Sequence, residues 1–187
     1  MALGRGEVVD AELIVLVDEA GRPIGTAPKI ASHHRDTPLH LAFSCYVFGP
    51  DGRFLATRRA LSKKTWPGTW TNSCCGHPGP GESAAEAVRR RLRTELGLTG
   101  GDVVPLLPHF RYRAELDGVV ENEICPVFGL RVDAEPVPDP TEVEEYRWVD
   151  WDAFVAGNVP GGLSPWAALQ VAELADHPGV AALRRPA

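Results

Sequence analysis

A glycine-rich loop that leads into a strongly capped helix is the feature that most constrains the fold of this chain. The segment is GHPGPGESAAEAVRRRLRTELGL, residues 76–98. Ser83 and Glu86 have the spacing of a capping box, and Gly97 provides a C-terminal stop. The apolar residues that recur at helical spacing are Ala85, Val88, Leu92 and Leu96. The pattern therefore predicts a helix between Ser83 and Gly97 with one apolar face.

Short apolar runs bounded by turn signals predict strands around this helix. They are residues 12–18, the two runs on either side of Pro50-Asp51-Gly52, residues 109–132 broken at Asp117-Gly118, and residues 145–150. Two further helices are predicted, one after Asp150 and one with Ser164 as N-cap and Pro165 at its first position. This mixture predicts an α/β (α+β) sandwich.

The composition is that of one globular domain. The chain has 187 residues, of which 44% are hydrophobic and 24% charged. The N-terminal apolar run is short and interrupted by acids, which argues against a signal peptide or membrane insertion, so we expect a cytoplasmic protein with four reduced cysteines. We expect residues 1–11 to be a flexible N-terminus, 12–176 to form the domain and 177–187 to be a disordered C-terminal tail.

The charge distribution favours a small anionic ligand. The formal net charge is −6, which argues against nucleic acid as a partner. Two basic clusters, Arg58 to Lys64 and Arg89 to Arg93, nevertheless flank the glycine-rich loop. Taken alone, each cluster is explained equally well by a solvated surface; together they favour an anion bound at the loop.

The loop and its helix resemble the Nudix box, in which glutamates hold a divalent metal against a diphosphate. The matching residues are Gly76, Glu82, Arg90, Leu92, Glu95, Gly97 and Leu98. The chain departs from the box where Arg91 and Thr94 replace two metal-binding glutamates. Because hydrolysis needs those acids to gather Mg²⁺ and orient water, the resemblance implies a retained Nudix fold and diphosphate site with impaired hydrolysis.

Longer segments resemble the type I isopentenyl-diphosphate isomerases, a Nudix-fold family that interconverts isopentenyl and dimethylallyl diphosphate. These segments are KIASHHRDTPLHLAFS, TRRALSKKTWPGTWTNSCCGHP, FRYRA, VENEICPVF and LSPWA. The resemblance covers residues 12 to 170. It implies a mixed sheet sandwiched between helices in a single Nudix-fold domain, and an enzyme of isoprenoid biosynthesis.

The resemblance implies a metal site of three histidines and two glutamates. Its ligands would be His33, His40, His77, Glu121 and Glu123. The two glutamates are two residues apart, which places both carboxylates on one face of a strand. Five nitrogen and oxygen donors suit a roughly octahedral ion with one open position. Zn²⁺, Mn²⁺ and Mg²⁺ all remain open, and His34 and His109 are expected to have no metal role.

The implied reaction adds a proton to one carbon and removes one from another across an allyl unit, through a species that resembles a tertiary carbocation. The resemblance implies that Glu123, linked to Tyr112, protonates the alkene and that Cys75 removes the allylic proton. Nearby cations or a metal can lower the pKa of Cys75, so we expect it to act as a thiolate. Trp166 would face the cation with its ring. No chemical role is implied for Cys74.

The resemblance also implies how the small-molecule diphosphate is held. Its cationic contacts would be Lys29, Arg59, Lys63 and Arg91. A Mg²⁺ ion bound with the diphosphate would be held by Glu95 and a backbone oxygen near Cys75. Arg91 and Glu95 are four residues apart, so both can meet one diphosphate from the same helix face.

Two alternatives to the isomerase remain open on the sequence. The first is a Nudix hydrolase of a nucleoside diphosphate derivative, against which the missing carboxylates and the thiol both count. The second is a binding module in which the five ligands hold a structural metal without turnover. Whichever function is correct, we expect a monomer or a weak dimer.

Overall fold

A computed structural model describes residues 12–186, which contain twelve strands and five helices. The strands are β1 (Leu13–Val17), β2 (Pro23–Pro28), β3 (His40–Leu41), β4 (Phe43–Phe48), β5 (Phe54–Arg59), β6 (Trp70–Thr71), β7 (Cys74–Gly76), β8 (Val104–Leu107), β9 (Arg111–Leu116), β10 (Val119–Ile124), β11 (Val127–Arg131) and β12 (Val143–Val149). The helices are α1 (Lys29–Ser32), α2 (Ala84–Leu96), α3 (Trp151–Val155), α4 (Pro165–Leu174) and α5 (Pro178–Leu183). None of these helices is long and apolar enough to span a bilayer. The predicted flexible segment 1–11 lies outside the described residues.

The strands form two mixed sheets. The first has the order β2-β1-β3-β10-β9, and the second has the order β12-β5-β4-β11-β8, with β6 beside β5 and β7 beside β4. Strand β3 runs parallel to β10, and β4 runs parallel to β11, whereas the other named pairs are antiparallel. Strands that are distant in sequence are therefore neighbours at the positions where the predicted site residues lie.

Strand β4 is buried on both faces and divides the core into two clusters. Phe43 and Cys45 pack with the apolar face of α2, whereas Tyr46 and Phe48 pack with residues of α3 and α4 on the opposite face. A strand covered on both sides is apolar at nearly every position, which explains the continuous sequence FSCYVF. The predicted sandwich of mixed sheet and helices is confirmed.

Helix α2 forms where the sequence predicts it, with both caps. The Ser83 side chain accepts a hydrogen bond from the Glu86 backbone N–H, and the Glu86 carboxylate accepts one from the Ser83 N–H. Gly97 adopts the left-handed conformation with φ of 64°, which a residue with a Cβ would adopt only with strain. The loop before the helix is held by Arg90, which donates two hydrogen bonds to the Glu82 carboxylate and one to the His77 carbonyl oxygen.

The predicted hairpins are confirmed because their turns contain the residues that the backbone requires. Gly52 has a φ of 80° between β4 and β5, which pair antiparallel. Asp117 and Gly118 have φ values of 51° and 78° between β9 and β10. Two consecutive positive φ angles are typical of a type I′ turn, for which Asp-Gly is a preferred sequence.

The C-terminal segment that we expected to be disordered contains a helix. In α5 the His177 side chain caps the backbone N–H of Gly179, and Val180 is buried in the core cluster beside α4. Arg131 of β11 donates a hydrogen bond of 2.6 Å to the Leu183 carbonyl oxygen. A six-residue helix has little stability of its own, so tertiary packing rather than local pattern decides its formation.

We predict that Ser83→Ala lowers the free energy of unfolding by about 1 kcal/mol, because it removes the N-cap of α2. Urea denaturation followed by circular dichroism measures this loss. The matched control is Thr94→Ala in the last turn of the same helix, where the exposed hydroxyl contacts only its own helix backbone. An equal loss in both variants would contradict the capping assignment.

Candidate active site

A cavity of about 420 Å³ gathers the predicted site residues from both sheets and from α2. Its lining includes Lys29, His33, Arg59, Lys63, Cys75, His77, Arg91, Glu95, Tyr112, Glu121, Glu123 and Trp166. His40, which is fully buried, adjoins the lining through His77, the two ring centroids being 5.1 Å apart. Residues that span more than 130 positions of sequence are thus brought together in one place.

Short elements place the histidines and glutamates side by side. Helix α1 ends immediately before His33, and β7 ends immediately before His77. Strand β3 pairs with β10 in parallel so that His40 lies opposite Glu123. Strand β10 also carries Glu121, two residues earlier, and its side chain joins the same cluster.

The ligand atoms of this His/Glu cluster have the spacing of a metal coordination sphere. One nitrogen or oxygen from each of the five residues lies within 4.8 Å of all the others. The Nε2 atoms of His40 and His77 are 3.3 Å apart, and the Nε2 of His77 is 3.2 Å from the Glu123 Oε1. Ligand bonds of about 2.1 Å in an octahedral site place neighbouring ligand atoms about 3 Å apart and opposite ones about 4.2 Å apart.

Two imidazole rings are oriented by hydrogen bonds at their other nitrogen. The Nδ1 of His33 donates to the Lys29 carbonyl oxygen at 2.6 Å, and the Nδ1 of His40 donates to the Pro38 carbonyl oxygen at 2.9 Å. Because a carbonyl oxygen only accepts, these bonds place the ring proton on Nδ1 and leave the Nε2 lone pair directed at the cluster. Metal-binding histidines are held in this way in proteins.

Two buried polar atoms of the cluster have no hydrogen-bond partner among the described residues, the Nδ1 of His77 and the Oε2 of Glu121. The Oε2 of Glu121 lies 3.1 Å from the Nε2 of His33, but the two atoms do not have hydrogen-bond geometry. Buried polar groups are nearly always satisfied, and a bound ion is one of the partners that explain an exception. The donor set therefore fits a divalent ion.

The protonation of His77 and Glu123 also fits metal binding. Burial lowers the pKa of His77 to about 4, so its imidazole is neutral at physiological pH. Burial acts against the charge of Glu123, but the adjacent His40 and His77 imidazoles outweigh it and hold the pKa of Glu123 well below its ordinary value. A neutral imidazole and an ionised carboxylate are the forms in which these residues bind metals.

The proposed reacting groups share the cavity with this cluster. Cys75 lies on β7 opposite Ser44, and Tyr112 lies on β9 directly opposite Glu123 of β10. The indole ring of Trp166, at the start of α4, has its centroid 6.1 Å from that of the Tyr112 ring. Cys74 also contributes to the lining of the cavity, but it is buried in the core cluster beneath α2.

The expected lowering of the Cys75 pKa is wrong for the chain alone. Burial raises the pKa of the Cys75 thiol to about 12, although Arg59 and Lys63 act in the opposite direction. Removal from water penalises the thiolate more than the two cations stabilise it. At neutral pH the thiol is therefore protonated in the state that the structure describes.

Two of the predicted diphosphate cations, Lys63 and Arg91, are already paired with carboxylates. Arg91 donates a hydrogen bond of 2.6 Å to Glu95 and lies 3.4 Å from Glu142, which also contacts Lys63. The sequence did not single out Glu142, because its position immediately before β12 becomes informative only once β12 and α2 are brought together.

The two remaining predicted cations have different environments. Lys29 binds Glu12 at 2.9 Å, whereas Arg59 has no carboxylate partner among the described residues. The Arg59 guanidinium donates to the Thr65 carbonyl oxygen at 2.9 Å and lies 5.5 Å from the centroid of the Trp166 ring. The structure thus places Arg59 beside the indole as well as in the cavity that contains the other cations.

Comparison with known proteins defines the class first. A family model for the NUDIX domain matches residues 38–170. A crystal structure of a Deinococcus radiodurans protein has a TM-score of 0.68 at 22% identity, covering 86% of this chain and 98% of that chain. A MutT protein from Methanosarcina mazei has a TM-score of 0.59 at 23% identity, and the match covers 75% of this chain and 98% of that chain. The predicted Nudix fold is confirmed.

Curated relatives then define the family within that class. A protein of Frankia alni is 54% identical, covering 97% of this chain and 96% of its own length. A protein of Clavibacter sepedonicus is 56% identical, and the match covers 91% of this chain and 93% of that protein. Both are named isopentenyl-diphosphate Delta-isomerase. The chain belongs to the isopentenyl-diphosphate Delta-isomerases of the Nudix superfamily, as the sequence resemblance implied.

We predict that His33→Ala weakens Mn²⁺ binding by at least about tenfold, because it removes one ligand of a site whose other members stay in place. Titration of free Mn²⁺ by electron paramagnetic resonance measures the affinity. The matched control is His34→Ala, the next residue along the chain, which is exposed and outside the cluster. Equal affinities in the two variants would show that the cluster is not the metal site.

Proposed function

We propose that this enzyme interconverts isopentenyl diphosphate and dimethylallyl diphosphate, as a step of isoprenoid biosynthesis. The observation that carries the proposal is a single cavity lined by a thiol, a buried carboxylate, a tryptophan and several cations. The names of the relatives support the same activity. A cytoplasmic location, a monomeric or weakly dimeric state and the domain limits 12–176 stay predictions.

The reaction needs two proton-transfer groups that reach the substrate from different sides. Glu123 lies on the first sheet and Cys75 on the second, so the two groups come from different layers of the fold. In the direction that forms dimethylallyl diphosphate, Glu123 delivers a proton to the terminal carbon of the alkene and Cys75 removes one from the allylic carbon. The roles exchange in the reverse direction.

Tyr112 is suited to keep a hydroxyl proton beside Glu123, and the proton that Glu123 delivers is one that it takes up from solvent. Burial, together with the charge of Glu123, raises the pKa of Tyr112 well above its ordinary value, so its hydroxyl stays protonated. It lies directly opposite Glu123 in the register of β9 and β10. A carboxylate with a low pKa thus acts beside a group that retains its proton at neutral pH.

Cys75 must lose its proton to act as a base, and charge in the cavity favours this loss. Arg59 and Lys63 already act against the effect of burial on the Cys75 pKa.

Trp166 is buried in the same cavity and presents a π system that stabilises positive charge by about 2 kcal/mol when water is excluded. An indole stabilises a carbocation-like species without forming a bond to it. A carboxylate or a thiolate, in contrast, would add to the cation.

Two divalent ions complete the proposed site. The His/Glu cluster would hold one of them, with Mn²⁺, Zn²⁺ and Mg²⁺ as candidates, and Glu95 would hold a Mg²⁺ that accompanies the diphosphate. When bound, such ions supply positive charge that orients carboxylates and neutralises phosphate oxygens. The cations that hold the diphosphate are Lys29, Arg59, Lys63 and Arg91.

Incubation of the enzyme with isopentenyl diphosphate, Mg²⁺ and Mn²⁺ in deuterated water tests the reaction directly. We predict dimethylallyl diphosphate that carries deuterium, because the new C–H bond takes its proton from an exchangeable group. Mass spectrometry measures the deuterium in the product, and the release of phosphate is measured in the same reaction. Phosphate release without isomer would indicate a Nudix hydrolase, and binding without either product would indicate a module with a structural metal.

We predict that Cys75→Ala abolishes isomerisation and that Cys74→Ala keeps most of it. The first variant removes the proposed base, whereas the second removes one sulfur atom from the core beneath α2. The conversion of isopentenyl diphosphate is measured for both at equal concentrations of folded protein. The opposite pattern would show that the thiol has been assigned to the wrong cysteine.

A further inference from the structure

Asn72 accepts a hydrogen bond from the indole N–H of Trp166. The proposed reaction assigns no role to Asn72. The Nε1 of Trp166 donates a hydrogen bond of 3.0 Å to the Oδ1 of Asn72. The Asn72 side chain is fully buried, yet it lines the same cavity as Cys75 and Trp166. The contact joins α4 to the segment between β6 and β7, 94 residues apart in sequence.

The hydrogen-bonding capacity of the Asn72 side chain is fully used. Its Nδ2 donates to the carbonyl oxygens of Cys74, at 2.6 Å, and Cys45, at 3.2 Å. Its Oδ1 accepts from the Thr71 hydroxyl at 2.8 Å as well as from Trp166. Two donors and two acceptor positions are all that an amide possesses, so only one orientation satisfies all four bonds.

One of these bonds connects the indole to the peptide of the proposed base. The Cys74 carbonyl belongs to the peptide group whose nitrogen is that of Cys75. Asn72 therefore bridges, through a single rigid amide, the ring that would face the carbocation and the backbone that carries the thiol. A shorter or aliphatic side chain could not accept from the indole and donate to the Cys74 carbonyl at the same time.

Other contacts fix the same indole, which indicates that its orientation is specified. Trp66 packs edge-on against Trp166, with ring centroids 5.4 Å apart and an interplanar angle of 89°. Trp66 has a φ of 46° immediately before Pro67, a conformation that is costly for a bulky residue. Strain of this kind persists where the surrounding structure requires it, and it is concentrated at functional sites.

We propose that Asn72 is a positioning residue for the isomerisation, which sets the Trp166 indole relative to the Cys75 peptide. The inference rests on the proposed function. Stabilisation of a cation by an aromatic ring depends on which part of the ring the cation meets, so a rotated indole slows the chemical step. Loss of the contact therefore lowers kcat and leaves KM, which depends on the diphosphate contacts, nearly unchanged.

A double-mutant cycle tests whether Asn72 acts through the indole N–H. Trp166→Phe keeps an aromatic ring but removes the donor. We expect Asn72→Ala to lower kcat by about tenfold in the chain with Trp166 and by less than about twofold in the Trp166→Phe background. Equal factors in both backgrounds would overturn the inference, since a residue that only supports the strands acts independently of the indole.

Gln170→Ala provides the matched control for this cycle. Gln170 is another fully buried amide and lies on the same helix as Trp166, but its bonds go to the Tyr46 hydroxyl and Ser44. Its effect on kcat is expected to be the same with Trp166 and with Phe at position 166. Coupling of Gln170 with Trp166 as large as that of Asn72 would contradict a specific role for Asn72.

Exchange of the indole N–H with deuterated water tests the contact without any turnover. Nuclear magnetic resonance of ¹⁵N-tryptophan-labelled enzyme resolves the indole signals, and the signal lost in Trp166→Phe identifies Trp166. We expect Asn72→Ala to accelerate exchange of this proton by at least about tenfold, because a buried hydrogen bond protects it. Unchanged exchange in that variant would overturn the inference.

Asn72→Ser keeps a hydroxyl near β7 but is too short to reach the indole. It replaces Asn72→Ala in the double-mutant cycle and in the exchange experiment if Asn72→Ala does not fold.

The two proposals fail in different ways. A wild-type enzyme that shows no isomerisation overturns the proposed function and, with it, the role of Asn72 in that reaction. An active wild-type enzyme in which the effects of Asn72 and Trp166 multiply overturns only the positioning role. Calorimetric titration with inorganic pyrophosphate and Mg²⁺ is expected to give affinities within about twofold for Asn72→Ala and wild type, which separates positioning of the indole from damage to the diphosphate site.

Discussion

The burial of two carboxylates beside three imidazoles is the constraint on which the rest of the site depends. Glu121 and Glu123 are 8% and 5% exposed. A buried charge costs several kcal/mol unless partners compensate it, so the carboxylates require the histidines around them. The parallel pairing of β3 with β10 supplies one such partner by placing His40 opposite Glu123. The cluster in turn fixes the layer from which Glu123 and Tyr112 enter the cavity.

The part of the cavity that contains the cationic side chains already has ion pairs between those side chains and carboxylates when no substrate is bound. Lys29 binds Glu12, and Arg91 binds Glu95. These carboxylates keep long cationic side chains in defined positions, but an incoming diphosphate must compete with them for the same donors. A divalent ion bound with the diphosphate, as proposed, would compensate the negative charges on both sides. The arrangement thus favours a diphosphate bound together with its metal.

The predictable parts of the fold are those that local chemistry determines. The caps of α2 lie at Ser83 and Gly97, and the β9–β10 turn lies at Asp117, each within a few residues of the element that it ends. Strands β2 and β8 and helix α5 were not predicted, because their stability comes from pairing and packing with distant segments. The site residues followed from the family resemblance rather than from spacing, since no local pattern connects His33 with Glu123.

The sequence by itself determined the capped helix, the hairpins and the residue types from which a metal and diphosphate site can be built. Only the tertiary structure decided how those residues act on one another. Burial reverses the expected pKa shift of Cys75, Arg59 stacks beside Trp166, and Asn72 connects that indole to the thiol-bearing peptide. The physical reason is that caps and turns depend on neighbours in the chain, whereas desolvation and buried hydrogen bonds depend on neighbours in space.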